Sequence, residues 1–245
     1  NWYAESDATA GIWEVGIPNG TSEQGGLDNL DFIVQTNEDH TENGDKCFVT
    51  GNAEVNVSET GADDVDGGFT ALYSDLYNLS LYNDVLLTYW RWYTNDIGNN
   101  PGNDIWSVQV SSNGLTWVDL ENTTTSLNQW HEKRFVLSEY IDLGSTVQFK
   151  FSASDLSYPG DSGSGGSLVE AAIDDFLLEA VSFESIQGDI NLDGQLDVLD
   201  IVNMVNLILD SDNPSSDDLA LADLNYDSML DVLDIVLLVN LILND

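Results

Sequence analysis

The chain of 245 residues carries 44 aspartates and glutamates against five lysines and arginines, a formal net charge of −39. So acidic a chain repels nucleic acid and anionic membrane surfaces, which leaves cations and neutral surfaces as partners. Cys47 is the single cysteine, so no intrachain disulfide forms, and no apolar run reaches the roughly 18 residues of a membrane span.

The length suits one large and one small domain. The chain starts at Asn1 and shows no charged-then-apolar leader, which implies a processed, secreted protein. Residues 1–183 hold all seven tryptophans and all five basic residues. Short apolar or alternating runs recur there between Gly, Asn, Asp and Ser clusters, at 11–15, 30–35, 46–50, 69–73, 85–94, 104–110, 116–120, 131–137, 146–153 and 171–181. That cadence predicts a mostly β domain, an antiparallel jelly-roll β-sandwich, with no helix of ordinary length. Asn113-Gly114 between two runs predicts a tight type I′ hairpin joining them.

In the run Tyr89-Trp90-Arg91-Trp92-Tyr93, alternation sends the two tryptophans to one face and Tyr89, Arg91 and Tyr93 to the other. Either the Tyr-Arg-Tyr face is open and stacks on a sugar or peptide, or the strand is buried on both faces. Catalysis fits poorly. His40 and His131 are the only histidines, and Cys47 sits in a predicted strand with no base adjacent in sequence. The GDSGS segment around Ser162 echoes a serine-protease nucleophile, but it lies in a Gly/Ser-rich run that reads as a loop. Sequons at Asn19, Asn56, Asn78 and Asn122 mark surface loops. After a short linker at 184–187 the character of the chain changes.

Residues 189–209, DINLDGQLDVLDIVNMVNLIL, and 223–243, DLNYDSMLDVLDIVLLVNLIL, are one unit written twice at an offset of 34. Each opens with the oxygen-rich spacing of a calcium loop, with side-chain ligands at positions 1, 3, 5, 9 and 12 and a carbonyl at position 7. In the first loop these are Asp189, Asn191, Asp193, Asp197 and Asp200, with Gln195 giving its carbonyl. In the second they are Asp223, Asn225, Asp227, Asp231 and Asp234, with Met229 giving its carbonyl. Position 6, which favours Gly, is Gly194 in one loop and Ser228 in the other, so the second site is expected to be weaker. Thirteen aspartates and no cation in the tail fit a solvated acidic segment, but apolar residues at helical spacing reject that reading. They are Val198, Ile201, Val202, Val205, Ile208 and Leu209, then Val232, Ile235, Val236, Val239 and Ile242. Packing four carboxylates per loop without a metal is strongly repulsive, so folding is expected to couple to calcium.

No helix-like run precedes either loop, and position 12 is Asp rather than Glu. In this form residues 188–245 resemble the dockerin family, which implies a small α-helical domain with two calcium loops stacked in pseudo-twofold fashion and a cohesin-like protein partner. In dockerins of cellulosomes loop positions 10 and 11 commonly contact the cohesin through polar pairs. Here they are Val198-Leu199 and Val232-Leu233, either an apolar contact for a partner or packing against the facing half. The segments GIWEVGIPNGT, CFVTGN, DVDGG, LLTYWRWYTN, VQVSSNGLTWVDLE and VEAAIDDFLLE of residues 1–183 resemble MAM-like or carbohydrate-binding-like jelly-roll domains of secreted bacterial proteins. That resemblance implies a structural calcium on Asp174 and Asp175. Asp64, Asp66, Asp96 and Asp104 are weaker candidates, since such residues also serve turns.

The expectation is a secreted, non-enzymatic, calcium-dependent interaction protein. Its tail docks on a jelly-roll partner, either a cohesin-like receptor or the sandwich of the next copy, and the latter contact builds filaments. The alternative is a carbohydrate- or protein-binding accessory module of an exported hydrolase.

Overall fold

Period-two runs become strands wherever one side meets the core. The computed structural model describes residues 2–23, 32–53, 61, 63–98, 100–156, 166–181, 186–191, 195–210 and 221–244. The chain divides into two compact units, Asn1–Val181 and Ser182–Asp245.

The first unit contains β1 (Tyr3–Ser6), β2 (Trp13–Gly16), β3 (Thr21–Glu23), β4 (Phe32–Gln35), β5 (Cys47–Thr50), β6 (Gly68–Tyr73), β7 (Val85–Thr94), β8 (Trp106–Ser111), β9 (Val118–Thr123), β10 (Leu127–Val136), β11 (Gln148–Asp155) and β12 (Glu170–Ala180). The ten runs read from sequence become β2 and β4 to β12. Strands β1 and β3 escaped that reading because both are short and largely polar. One five-stranded antiparallel sheet has the order β1-β6-β11-β8-β9, a second the order β10-β7-β12-β5-β2, and β3 pairs with β4 in a small ribbon. From β6 onward the chain passes from sheet to sheet at nearly every step, the jelly-roll form of a sandwich. Tyr89, Trp106, Phe149 and Phe151, all fully buried, fill the core between the sheets.

Strand β7 is buried on both faces. Tyr89, Arg91 and Tyr93 point into the core at 0, 2 and 0% exposure, so the open Tyr-Arg-Tyr face is not present. On the other side Trp92 Nε1 donates to the Val34 carbonyl at 2.8 Å, while the His40 ring stacks on Trp90 at 3.6 Å between centroids. Ribbon β3-β4 and the loop carrying His40 thus cover the second face. A buried arginine needs its charge met. The carboxylate of Glu121, on β9, accepts from Arg91 Nη1, Tyr89 Oη, Trp106 Nε1 and Lys133 Nζ, four donors on three other strands.

The β8-β9 connection corrects the type I′ expectation. The strands pair antiparallel, but only Gly114 of the pair has positive φ, at 70°. Asn113 stays on the ordinary side because its Oδ1 accepts from the amides of Leu115 and Thr116, both at 2.8 Å, making a longer side-chain-capped loop.

In the second unit the two apolar runs form α1 (Val198–Asp210) and α2 (Val232–Asn244). Their shared core is itself duplicated: Met204 and Leu238 are fully buried, flanked by Ile190, Leu196, Ile201 and Ile208 in one half and by Leu224, Leu230, Ile235 and Ile242 in the other. Each member of the first set matches one of the second at the 34-residue offset. Gly188 makes the start of the first loop possible, since its φ is 100° and a Cβ there would come within 2.8 Å of Leu238.

Candidate functional site

The tail loops are built by aspartates folding the backbone around themselves. In the second loop Asp223 accepts from the amides of Asp227 at 3.2 Å and Ser228 at 2.8 Å. Asn225 Oδ1 takes the Asp227 amide, Asp227 Oδ1 the Met229 amide, and Asp231 Oδ1 caps α2 through the Leu233 amide at 2.7 Å. Asp234 closes the loop by accepting from Leu224, Asn225 and Asp231. The first loop repeats the closing bonds: Asp200 accepts from Ile190, Asn191 and Asp197, and Asp197 caps α1 through Leu199. Gln195 is among the described residues of that loop, and Asp193 and Gly194 lie outside them. Met229 has an exposed side chain, and its thioether is too soft for calcium, so its backbone carbonyl is the donor it could offer.

Asp200 and Asp234 are fully buried, and Asp189 and Asp223 are 3 and 7% exposed. Each loop therefore withdraws two carboxylates from water in a tail with no lysine, arginine or histidine. Their donor set of carboxylate, amide and carbonyl oxygen fits a hard cation of calcium's size. Among the described residues no three His, Cys, Asp or Glu side chains converge tightly enough to enclose an ion. Ser228 adopts φ 65°, so position 6 of the second loop takes the left-handed conformation without the glycine that suits it.

Positions 10 and 11 do not pack against the facing half. Val198 and Leu199 are 63 and 54% exposed, and Val232 and Leu233 are 64 and 54% exposed. The expected apolar stripe also splits. Ile201 and Ile208 face the core, but Val202 and Leu209 continue the exposed line from Val198, as Val236 and Leu243 do from Val232. Each helix thus offers an apolar ridge on its outer side.

On the sandwich, the Asp174 and Asp175 carboxylates take up a loop. Asp174 Oδ2 accepts from the amides of His40 at 2.8 Å and Thr41 at 3.2 Å. Asp175, at a bulge in β12 with φ 49°, accepts from Thr41 Oγ1 and meets His40 Nδ1 at 2.7 Å. Burial works to raise the Asp175 pKa, but the hydrogen bonds from Thr41 and His40 outweigh it and hold the carboxyl below its ordinary value. His40 and Asp175 resemble half of a catalytic triad, yet among the described residues no nucleophile bonds the other ring nitrogen. Ser162 lies outside those residues. Cys47 is buried, and burial first, then Asp174 and Asp39, push its thiol up to about 12, which leaves it unreactive.

A second surface was not read from the sequence. The register of the first sheet lines up Tyr3, Tyr73, Lys150, Gln109 and Asp119 in one row across all five strands. Tyr3 and Tyr73 stack at 4.9 Å between centroids, Trp117 meets Tyr73 edge-on, and Lys150 Nζ lies 4.8 Å from the Trp117 centroid. Gln109 Nε2 donates to Asp119 Oδ1 at 2.6 Å. The row joins flat aromatic faces to amide, ammonium and carboxylate groups. Its members are scattered over five strands, so no local motif marks it.

No family model matches the chain, and no curated protein matches it. Among solved structures, TmCBM61 in complex with β-1,4-galactotriose is 14% identical, with 74% of this chain and 88% of that one covered and a TM-score of 0.40. The K1 cleaved adhesin domain of Lys-gingipain from Porphyromonas gingivalis W83 is 14% identical, with 74 and 99% covered and a TM-score of 0.37. The family 11 carbohydrate-binding module of the cellulosomal cellulase Lic26A-Cel5E of Clostridium thermocellum is 10% identical, with 74 and 88% covered and a TM-score of 0.36. Likeness of this degree carries no ligand across to this chain. None of the described helices is long and apolar enough to cross a membrane.

Proposed function

We propose that this chain is a secreted, non-catalytic binding protein whose tail folds around two calcium ions and docks on a protein partner. The observation that carries this reading is the duplicated exposed pair, Val198-Leu199 and Val232-Leu233, each continued by an apolar ridge on its helix. Natural surfaces rarely present such a patch twice without a use. The partner is a folded surface, either a jelly-roll receptor or the sandwich of the next copy. Sedimentation velocity and electron microscopy of the purified chain, in calcium and in chelator, test it. Calcium-dependent fibres identify the next copy, and monodisperse calcium-loaded chain identifies a separate receptor. Tail helices that persist unchanged in excess chelator sink the calcium-dependent reading.

The row of Tyr3, Tyr73, Trp117, Lys150, Gln109 and Asp119 favours a second reading, in which the sandwich is an accessory module for carbohydrate. Aromatic faces stack on sugar rings, and the polar members of the row bond hydroxyls. A glycan array should show binding that Trp117→Ala removes, and an array blank for the intact chain counts against it.

A further inference from the structure

The two halves of the tail are not copies at every position. Where α1 carries Asn203, α2 carries Leu237, and where Leu207 packs against the shared core, its counterpart Leu241 is exposed. Leu237 and Leu241 lie one helical turn apart on one side of α2. With Ile186 they wall a groove of about 700 Å³, lined deeper down by Leu196 and Leu224 and bordered by Asn240. Ile186, Leu237 and Leu241 are between 37 and 44% exposed. The wall that Ile186 forms is held in place. Its carbonyl accepts from the Asp189 amide at 2.9 Å, and next to it Gln187 Nε2 donates to the Asp223 carbonyl at 3.1 Å while Gln187 Oε1 accepts from Tyr226 Oη. The repeat has Leu221 in place of Gln187, so this tie belongs to one side of the tail only.

Charge says what can fill the groove. The unit Ser182–Asp245 holds thirteen aspartates and Glu184 with no lysine, arginine or histidine, so it draws in an apolar occupant edged with positive charge and keeps out an acidic one. A second copy has no such segment to give. Its five cations all lie in residues 1–183, and Lys133-Arg134 is the one adjacent pair among them, with Lys133 held by Glu121 and Arg134 by Glu132.

We infer that this groove takes a basic, amphipathic segment of a protein partner, which inserts large apolar side chains between Ile186, Leu237 and Leu241 and turns its lysines or arginines toward the aspartates of the tail. Two apolar side chains one turn apart on a partner helix match the single turn of α2 in the wall, a helix-in-groove contact. The groove does not include the Val198-Leu199 and Val232-Leu233 pairs, and it stands whether or not those pairs dock.

A fluorescent synthetic peptide of leucine and lysine at helical spacing serves as the probe, with a leucine and glutamate peptide of the same pattern as control. For the full chain in calcium, anisotropy should show saturable binding of the lysine peptide, weakened by salt, and none of the glutamate peptide. Leu237→Asn should weaken that binding about fivefold or more. Tail helicity by circular dichroism should not change, because α1 already carries Asn203 at the matching place. The Leu199→Ser, Leu233→Ser chain should bind the peptide as the unmutated chain does, so failure of those pairs and failure of this groove are read separately. No binding of the lysine peptide, or equal binding of the glutamate peptide, overturns the inference. Unchanged affinity in Leu237→Asn also overturns it, assigning the binding to charge alone, and affinity lost in the Leu199→Ser, Leu233→Ser chain overturns it by assigning the binding to the pairs. Self-association that Leu237→Asn abolishes would make the occupant a second copy, which overturns it too. If Leu237→Asn lowers helicity, Leu241→Gln takes its place with the same outcomes.

Discussion

Replacing Leu199 and Leu233 by serine separates a docking surface from a folding core. Burying a leucine or valine completely contributes about 1.5 to 3 kcal/mol. The leucines are 54% exposed and the valines 63 and 64%, so folding has used less than half of that, and each Leu→Ser change should cost the tail about 1 kcal/mol. The exposed remainder of one Val-Leu pair is worth about 2 to 3 kcal/mol to a partner before association entropy is subtracted. The leucine's share is about 1 to 1.5 kcal/mol, close to tenfold in Kd. Since the two pairs are identical and related by the repeat, either should serve. A single change should then weaken association about twofold, by removing one of two equivalent orientations, whereas the double change should weaken it about tenfold or more. Sedimentation velocity in calcium measures association, and far-ultraviolet circular dichroism measures tail helicity. Unchanged association in the double variant, or collapse of the helices, refutes the reasoning.

Asp189→Ala with Asp223→Ala should abolish the calcium dependence of tail helicity while tryptophan fluorescence of the sandwich is unchanged, because each change removes the position 1 ligand of one loop. Ser228→Gly should raise the calcium-loaded tail's stability by about 0.5 to 1 kcal/mol, since φ 65° strains a serine and suits a glycine; a fall in its chemical denaturation midpoint counts against the strain. Glu121→Gln should destabilise the sandwich by about 3 to 5 kcal/mol, on the order of 10 °C in melting temperature, by leaving Arg91 buried with its charge unmet. A change within 2 °C, on the order of 0.5 to 1 kcal/mol, shows that the network contributes little.

The sandwich was legible where its strands alternate and long apolar runs repeat, as in β7 and β12. Period two also assigned Tyr89, Arg91 and Tyr93 correctly to a common face, but alternation does not say which face is inner. That was decided by Glu121, thirty residues from Arg91 in sequence and beside it in space. Strand β1 went unread because a four-residue polar edge strand has no signal of its own, and with it went the row through Tyr3 and Tyr73, which exists only in cross-strand register. In the tail, spacing identified the loops because their ligands are local. It overstated the core: Val198 and Val202 fall at helical spacing but face outward, since Met204 and Leu238, a residue type and a position the stripe omitted, occupy the centre.

Charge constrains how these surfaces are used. Calcium at both tail loops would cancel four of the tail's negative charges, yet thirteen aspartates leave it strongly acidic even then. An apolar ridge on such a body meets another copy only against long-range repulsion, which salt screens within about 10 Å at 0.1 M. A basic receptor would instead be drawn in, and salt would weaken that attraction. The direction of the salt dependence therefore separates self-assembly from docking on a basic partner, and the apolar contact supplies affinity in both cases because it is indifferent to the sign of the field.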